Sequence, residues 1–186
     1  MATLCTAIAN TGAEGIPSTQ LPTVVQPSAA NHFNPSVAVE GIEWWIASEG
    51  GPDAYKIDLN GNNNFSFLTL EEDFPNIENP VLRPRKSDDV TVNVTAIDLI
   101  TIIKHILNIE PFVDENVKIA ADANNDGVIS VTDLSYIQKL ILSIFDNFPN
   151  DASYRFIPEE IQLGEMPGQP INLEFTAIKV GDVNGF

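Results

Sequence analysis

Basic side chains are scarce in this chain. Nine Lys and Arg stand against 26 Asp and Glu, a formal net charge of −17 over 186 residues. So acidic a surface repels phosphate backbones and anionic headgroups, which argues against nucleic acid and membrane surfaces as partners. Long apolar runs are missing as well. No stretch nears the roughly 20 residues that a membrane span needs, and Met1-Ala-Thr-Leu-Cys5 lacks the basic end and apolar run of a signal peptide, so a secreted chain is expected in its mature form. A lone cysteine, Cys5, forms no internal disulfide. The two histidines, His32 and His105, stand far apart without a cysteine or carboxylate at zinc-ligand spacing, which sets zinc chemistry aside. Catalytic signatures are also wanting: there is no GxSxG elbow, HExxH pair or phosphate-cradling glycine loop. The adjacent acids Glu71-Glu72 and Glu159-Glu160 point apart on a strand rather than flanking a scissile bond, and of Trp44-Trp45 only one ring faces solvent on a strand. The expectation is a chain without catalytic activity.

Apolar mass is what the chain does have. Hydrophobic residues make up 44% of it, ten of them Phe, too many for a disordered acidic tail. The chain folds, and its acidity calls for a counterion. Residues 1–37 carry one formally charged side chain, Glu14, among Thr, Ser, Ala, Asn and Pro with short apolar pieces at Leu4–Ala9 and Thr23–Val25. This composition predicts an uncharged extended arm that lies against its own body or adds a strand to a neighbour. Residues 38–86 read as short strands of a small antiparallel β-sandwich. Tyr55, Ile57 and Leu59 alternate with period two, Phe65 and Phe67 begin a second run that continues irregularly into Leu68 and Leu70, and Asn60-Gly61-Asn62-Asn63 between them signals a hairpin.

Residues 87–186 start with an internal repeat. Thr95–Ile109 falls on Ser130–Ile144 at a shift of 35, pairing Asp98 with Asp133, Leu99 with Leu134 and Lys104 with Lys139. Both copies space apolar residues as amphipathic helices do, which predicts two helices burying their stripes against one another. The class is therefore α+β.

Ahead of the second helix stands Asp122-Ala-Asn124-Asn-Asp126-Gly127-Val128-Ile129-Ser130-Val-Thr-Asp133. Oxygen side chains fall at positions 1, 3, 5, 9 and 12 of a twelve-residue loop with Gly at position 6, the pattern of an EF-hand-type Ca²⁺ loop. A hard cation takes six to eight oxygens, and alternating residues of one loop deliver them. Gly127 allows the sharp turn, Val128 contributes its backbone carbonyl, and Ile129 points back into a core. Asp133 replaces the Glu usual at position 12, which brings the incoming helix closer to the ion. This loop and helix, preceded by a second copy, resemble the duplicated calcium loop and helix of dockerins.

The first copy sets Ser87, Asp89, Thr91, Val92, Asn93, Thr95 and Asp98 at the ligand and glycine positions, with Val92 where Gly belongs. A second ion there needs donors from elsewhere. The expected source is the segment Lys179-Val-Gly-Asp182-Val-Asn184-Gly185, folding back so that Asp182 or Asn184 completes the site; a frayed acidic end is the alternative. The order of the chain from residue 38 onward is similar to modules of large secreted bacterial surface proteins, and the strand-rich part resembles a carboxypeptidase-regulatory or prealbumin-like sandwich. The resemblance implies an extracellular or cell-surface, non-catalytic, calcium-binding module. Two partners fit: identical subunits, joined by strand exchange and calcium into a fibre, tube or layer, or a cohesin-like receptor that the helix pair docks. The uncharged arm and the charge that calcium would neutralise favour the assembly.

Overall fold

In a computed structural model, residues 23–67, 70–150, 152–164 and 170–185 are described. The readings of Cys5, Glu14, Leu4–Ala9 and Leu68 lie outside them. The elements run β1 (Thr23–Asn31), β2 (Glu43–Ser48), β3 (Asp53–Ile57), β4 (Phe65–Phe67), α1 (Leu70–Asp73), β5 (Pro80–Arg85), α2 (Ala96–Ile106), α3 (Glu115–Ala121), α4 (Val131–Ile141), β6 (Tyr154–Ile157), β7 (Ile161–Gln162) and β8 (Ile171–Lys179). Two four-stranded sheets, ordered β4-β1-β8-β6 and β3-β2-β5-β7, face each other over one apolar core of Val25, Trp44, Ile46, Leu82, Phe156, Leu163 and Phe175. That is the α+β sandwich expected, antiparallel except where β1 runs parallel to β8.

The strands take their residues from farther along the chain than the sequence suggests. Thr23–Asn31, placed above in the uncharged arm, is an inner strand between β4 and β8. Its lack of charge is the mark of a strand with neighbours on both sides: Val25, Pro27 and Ala29 are buried while Gln26 and Ser28 are exposed. Likewise the sandwich does not close within 38–86. It needs β6, β7 and β8 from the stretch assigned above to the calcium module, so residues 87–150 are an insertion between β5 and β6. The Asn60–Asn63 turn forms, with Asn63 N–H donating to Asn60 O at 2.9 Å. It joins no hairpin, however: β3 pairs with β2 and β4 with β1, in the other sheet. Asn-Gly chemistry sets local backbone angles and leaves the choice of strand partner to the core. At Leu70, the last residue of the irregular run, the chain is in α1 instead of a strand.

The inserted helices have their own core, in which Ile102, Val117, Ala120, Ile137, Leu140 and Phe148 are buried. α2 and α4 pack together as the repeat predicts, with the short α3 as a third helix that the sequence reading did not separate. β8 joins the two cores. Its Phe175 and Ala177 belong to the sandwich, while Ile178 and, just beyond it, Val180 belong to the helical core. A second link runs from the end of β1, where His32 Nε2 lies 3.0 Å from Asp114 Oδ2 and His32 Nδ1 lies 3.0 Å from Asn116 Nδ2.

Candidate metal centre

The loop 122–133 leaves α3 and enters α4 through a capping box. Ser130 Oγ accepts from Thr132 N–H at 3.1 Å, while Asp133 Oδ2 accepts from Ser130 N–H at 2.8 Å. Asp133 also reaches back across the loop, where its Oδ1 accepts from Asn124 N–H at 3.3 Å. Position 12 is thereby tied to position 3. Asp122 accepts from Asp126 N–H at 3.2 Å and Gly127 N–H at 2.8 Å, Asn124 Oδ1 from Asp126 N–H at 3.0 Å, and Asp126 Oδ1 from Val128 N–H at 2.8 Å. Gly127 takes φ +83°, the left-handed turn for which glycine is needed at that position. The Ile129 side chain packs against the helical core as expected, and the Val128 side chain is exposed.

The donor types suit a hard cation. All are oxygens, Asp122 and Asp133 are buried, and neither carboxylate is paired with a described cationic side chain. An amide bond uses only part of the lone-pair capacity of a carboxylate. Two features temper the fit. Among the described residues no three carboxylate, imidazole or thiol groups are gathered as a ready metal cluster, and Asn124 Nδ2 donates to Asp126 Oδ2 at 2.8 Å, a bond between two proposed donors that an ion has to displace. The nearest guanidinium, Arg155, is turned to backbone: it donates to Ile119 O at 2.7 Å and Asp122 O at 2.5 Å. Burial pushes Arg155 below the usual arginine range, and the charges of Asp122 and Asp133 oppose that. No local signal marks Arg155 in the sequence, because it arrives from β6.

At the first loop Thr95 and Asp98 repeat the same box: Asp98 Oδ2 accepts from Thr95 N–H at 2.8 Å, and Thr95 Oγ1 accepts from Ile97 N–H at 3.2 Å. The remaining oxygen of Asp98 accepts from Val183 N–H at 2.8 Å, so the C-terminal segment does fold back onto position 12. Asp182 is buried beside it and accepts through Oδ1 from Asn184 N–H at 3.2 Å and Gly185 N–H at 2.8 Å. The segment is locked at both ends of this contact. Gly181 N–H donates to Ala120 O at 2.8 Å, and a side chain at Gly185 would strike Phe33. Burial pushes the Asp182 carboxyl above its ordinary range; the nearby Asp98 charge adds to the rise, while the two amide bonds and the Lys179 charge oppose it. Asp89 and Asn93 are not drawn into this contact. The Asp89 carboxylate is exposed and 3.1 Å from Lys86 Nζ, and Asn93 is exposed on a left-handed turn.

Lys179, which sequence reading passed over, is buried under the first loop, where its ammonium donates to Asp89 O and lies 4.7 Å from the centre of the Tyr154 ring. Burial pushes it down to about 8, below the roughly 10.4 of an unfolded chain. Between these values the unfolded chain keeps a proton that the folded one has shed, so stability rises with pH across that interval and is at its lower level below it. In chelator, urea midpoints are expected to increase from pH 7.5 to pH 9.5, and Lys179→Gln should flatten the increase.

The family model described as the dockerin type I domain matches residues 89–142. It spans the first repeat copy, all but the last two residues of the second, and both helices α2 and α4, so this insertion is a dockerin-like module. No curated protein and no solved structure matches the chain.

Proposed function

We propose that the chain is a non-catalytic, calcium-held docking unit of a secreted or cell-surface protein, in which the inserted module binds a cohesin-like receptor and the sandwich carries it. The supporting observation is the coincidence of the dockerin match with a closed loop of oxygen donors whose two buried acids form no ion pair with a described cationic side chain. Asp122, Asn124, Asp126, Ser130 and Asp133, with the Val128 carbonyl, would hold Ca²⁺. The ion would supply positive charge that fixes the loop against α4, and so fixes the α2–α4 face. Self-assembly by strand exchange has less support, because β1, the strand in the described part of the arm, already pairs with β8 along Val25–Asn31 and with β4 at Thr23–Val25 inside its own sheet. Among the described residues no helix is long and apolar enough to cross a membrane. Titration calorimetry of the full chain against a panel of cohesin modules, in millimolar calcium and in chelator, tests the reading. Calcium-dependent binding of at least one module is expected, and binding of none would remove it.

A second ion is proposed at Asp98 with Asp182, the C-terminal segment taking the place of the donors that loop one lacks. Asn184 lies within reach along the chain, whereas Asp89 and Asn93 contribute only if their turn rearranges. Two calcium ions per chain are expected by calorimetry or equilibrium dialysis. Asp182→Ala should leave one, and an unchanged count would sink the idea.

A further inference from the structure

We propose that Arg155, a residue of the sandwich, sets the calcium affinity of the second loop by fixing Asp122 at position 1, so that this centre is complete only when the sandwich has closed on the module. The inference rests on the calcium reading above and adds to it a residue outside the loop and outside the matched residues 89–142. A twelve-residue loop carries its own donors, but not the angle at which the chain enters it. Here α3 delivers the chain, and a helix end leaves its last carbonyls without intrahelical partners. Groups from far along the chain take them up. Arg155 donates from Nη1 to Ile119 O at 2.7 Å and from Nη2 to Asp122 O at 2.5 Å. Gly181 N–H donates to Ala120 O at 2.8 Å, and Asn150 Nδ2 to Asn124 O, at position 3, at 3.0 Å. Every one of these donors lies beyond α4.

The position of Arg155 in β6 ties it to the sandwich. Its neighbour Phe156 is buried in the sandwich core, and Arg155 itself pairs with Ile178 of β8, which belongs to the helical core. Two residues earlier, the fully buried Ser153 donates from N–H and Oγ to Lys86 O at 3.0 and 3.2 Å, directly ahead of the first loop. Ser153 to Arg155 therefore hold the entrance of both loops. Two effects of Arg155 on calcium affinity oppose each other. Its charge stands where those of Asp122 and Asp133 act on it, and a cation there works against a second cation. Its fork, in contrast, fixes the backbone of Asp122, whose carboxylate closes the loop through Asp126 N–H and Gly127 N–H. Charge near a protein surface acts through a high effective dielectric, whereas a displaced ligand loses its bond to the ion outright, so positioning wins.

Calcium titration calorimetry of the full chain, wild type against Arg155→Met, tests this, since Met keeps an apolar stem and removes the fork. Affinity at the second loop should fall by about 10- to 100-fold. Unchanged affinity with a lower urea midpoint in chelator would make Arg155 a prop of the fold alone, and raised affinity would leave only its charge; either result overturns the inference. Arg155→Lys, which keeps the charge without the fork, should recover little of the loss, and full recovery would overturn it too. Asp126→Ala identifies the loop concerned. Arg155→Met added to it should cost no further affinity, and a further loss as large as in the wild-type background would place the effect elsewhere and overturn the inference. Wild-type binding in Asp126→Ala itself would remove the calcium reading, and the inference with it. In the unaltered chain, the Arg155 guanidinium protons followed by NMR should exchange with water more slowly as calcium is added, in step with the Gly127 amide. Protons indifferent to calcium would overturn the inference even where both Arg155 variants fail to fold.

Discussion

Asp133→Ala is expected to abolish calcium binding at the second loop and to destabilise the module even in chelator. The side chain has two duties. It is position 12 of the loop, and it accepts from Ser130 N–H and Asn124 N–H while fully buried. Orphaning two half-buried amide donors and losing the cap of α4 costs about 3 kcal/mol. Asp126→Ala separates the duties. Asp126 is exposed and caps no helix, so its loss should weaken calcium affinity at least about tenfold with less than about 0.5 kcal/mol lost in chelator. Calorimetry paired with urea denaturation reads both quantities. Wild-type affinity in both variants would remove the loop from consideration as the ion site.

Withdrawal of calcium should have an effect of similar size on the intact chain. Stabilisation by a ligand of the folded state grows with its excess over the dissociation constant, reaching about 4 kcal/mol at a thousandfold excess. Chelation is therefore expected to lower the thermal midpoint by several degrees and to reduce the helical signal. The strand signal should fall with it rather than survive alone, because β8 is packed into both cores. Circular dichroism followed at helix and strand wavelengths checks this, and a sandwich that melts independently of calcium would mean that the two cores are uncoupled.

The candidate metal loop was readable as a closed turn because its chemistry is local. Oxygen side chains at fixed intervals and a glycine at position 6 are demanded by one ion and one turn, and Asp122–Asp133 carries them within twelve residues. The repeat was readable for the same reason, since the α2 and α4 stripes each follow a helical period. The docking of Asp182 onto Asp98 was only half legible. Its motif resembled the start of a loop, but the Val183 amide that meets Asp98 comes from 85 positions along the chain, and no pattern announces such a meeting. The sandwich was obscured by distance too. β1 and β8 face each other in register from Val25 with Ile171 to Asn31 with Ala177, across the whole inserted module. An uncharged Pro-containing segment looks the same in a free arm and in an inner strand; only the partner tells them apart. α3 at seven residues is too short for its periodicity to stand out.

The pairing of β1 with β8 also orders events in time. During synthesis Thr23–Asn31 emerges early and waits for roughly 140 further residues before its parallel neighbour exists. The helical insertion, whose contacts are mostly local apart from those to β8 and the C-terminal segment, forms first in such a sequence of events, and long-range strand pairing follows slowly. Calcium present at that stage would hold the inserted module as a finished body, bringing the flanking halves of the sandwich within reach of one another and shortening the interval in which the unpaired β1 edge is open to other chains.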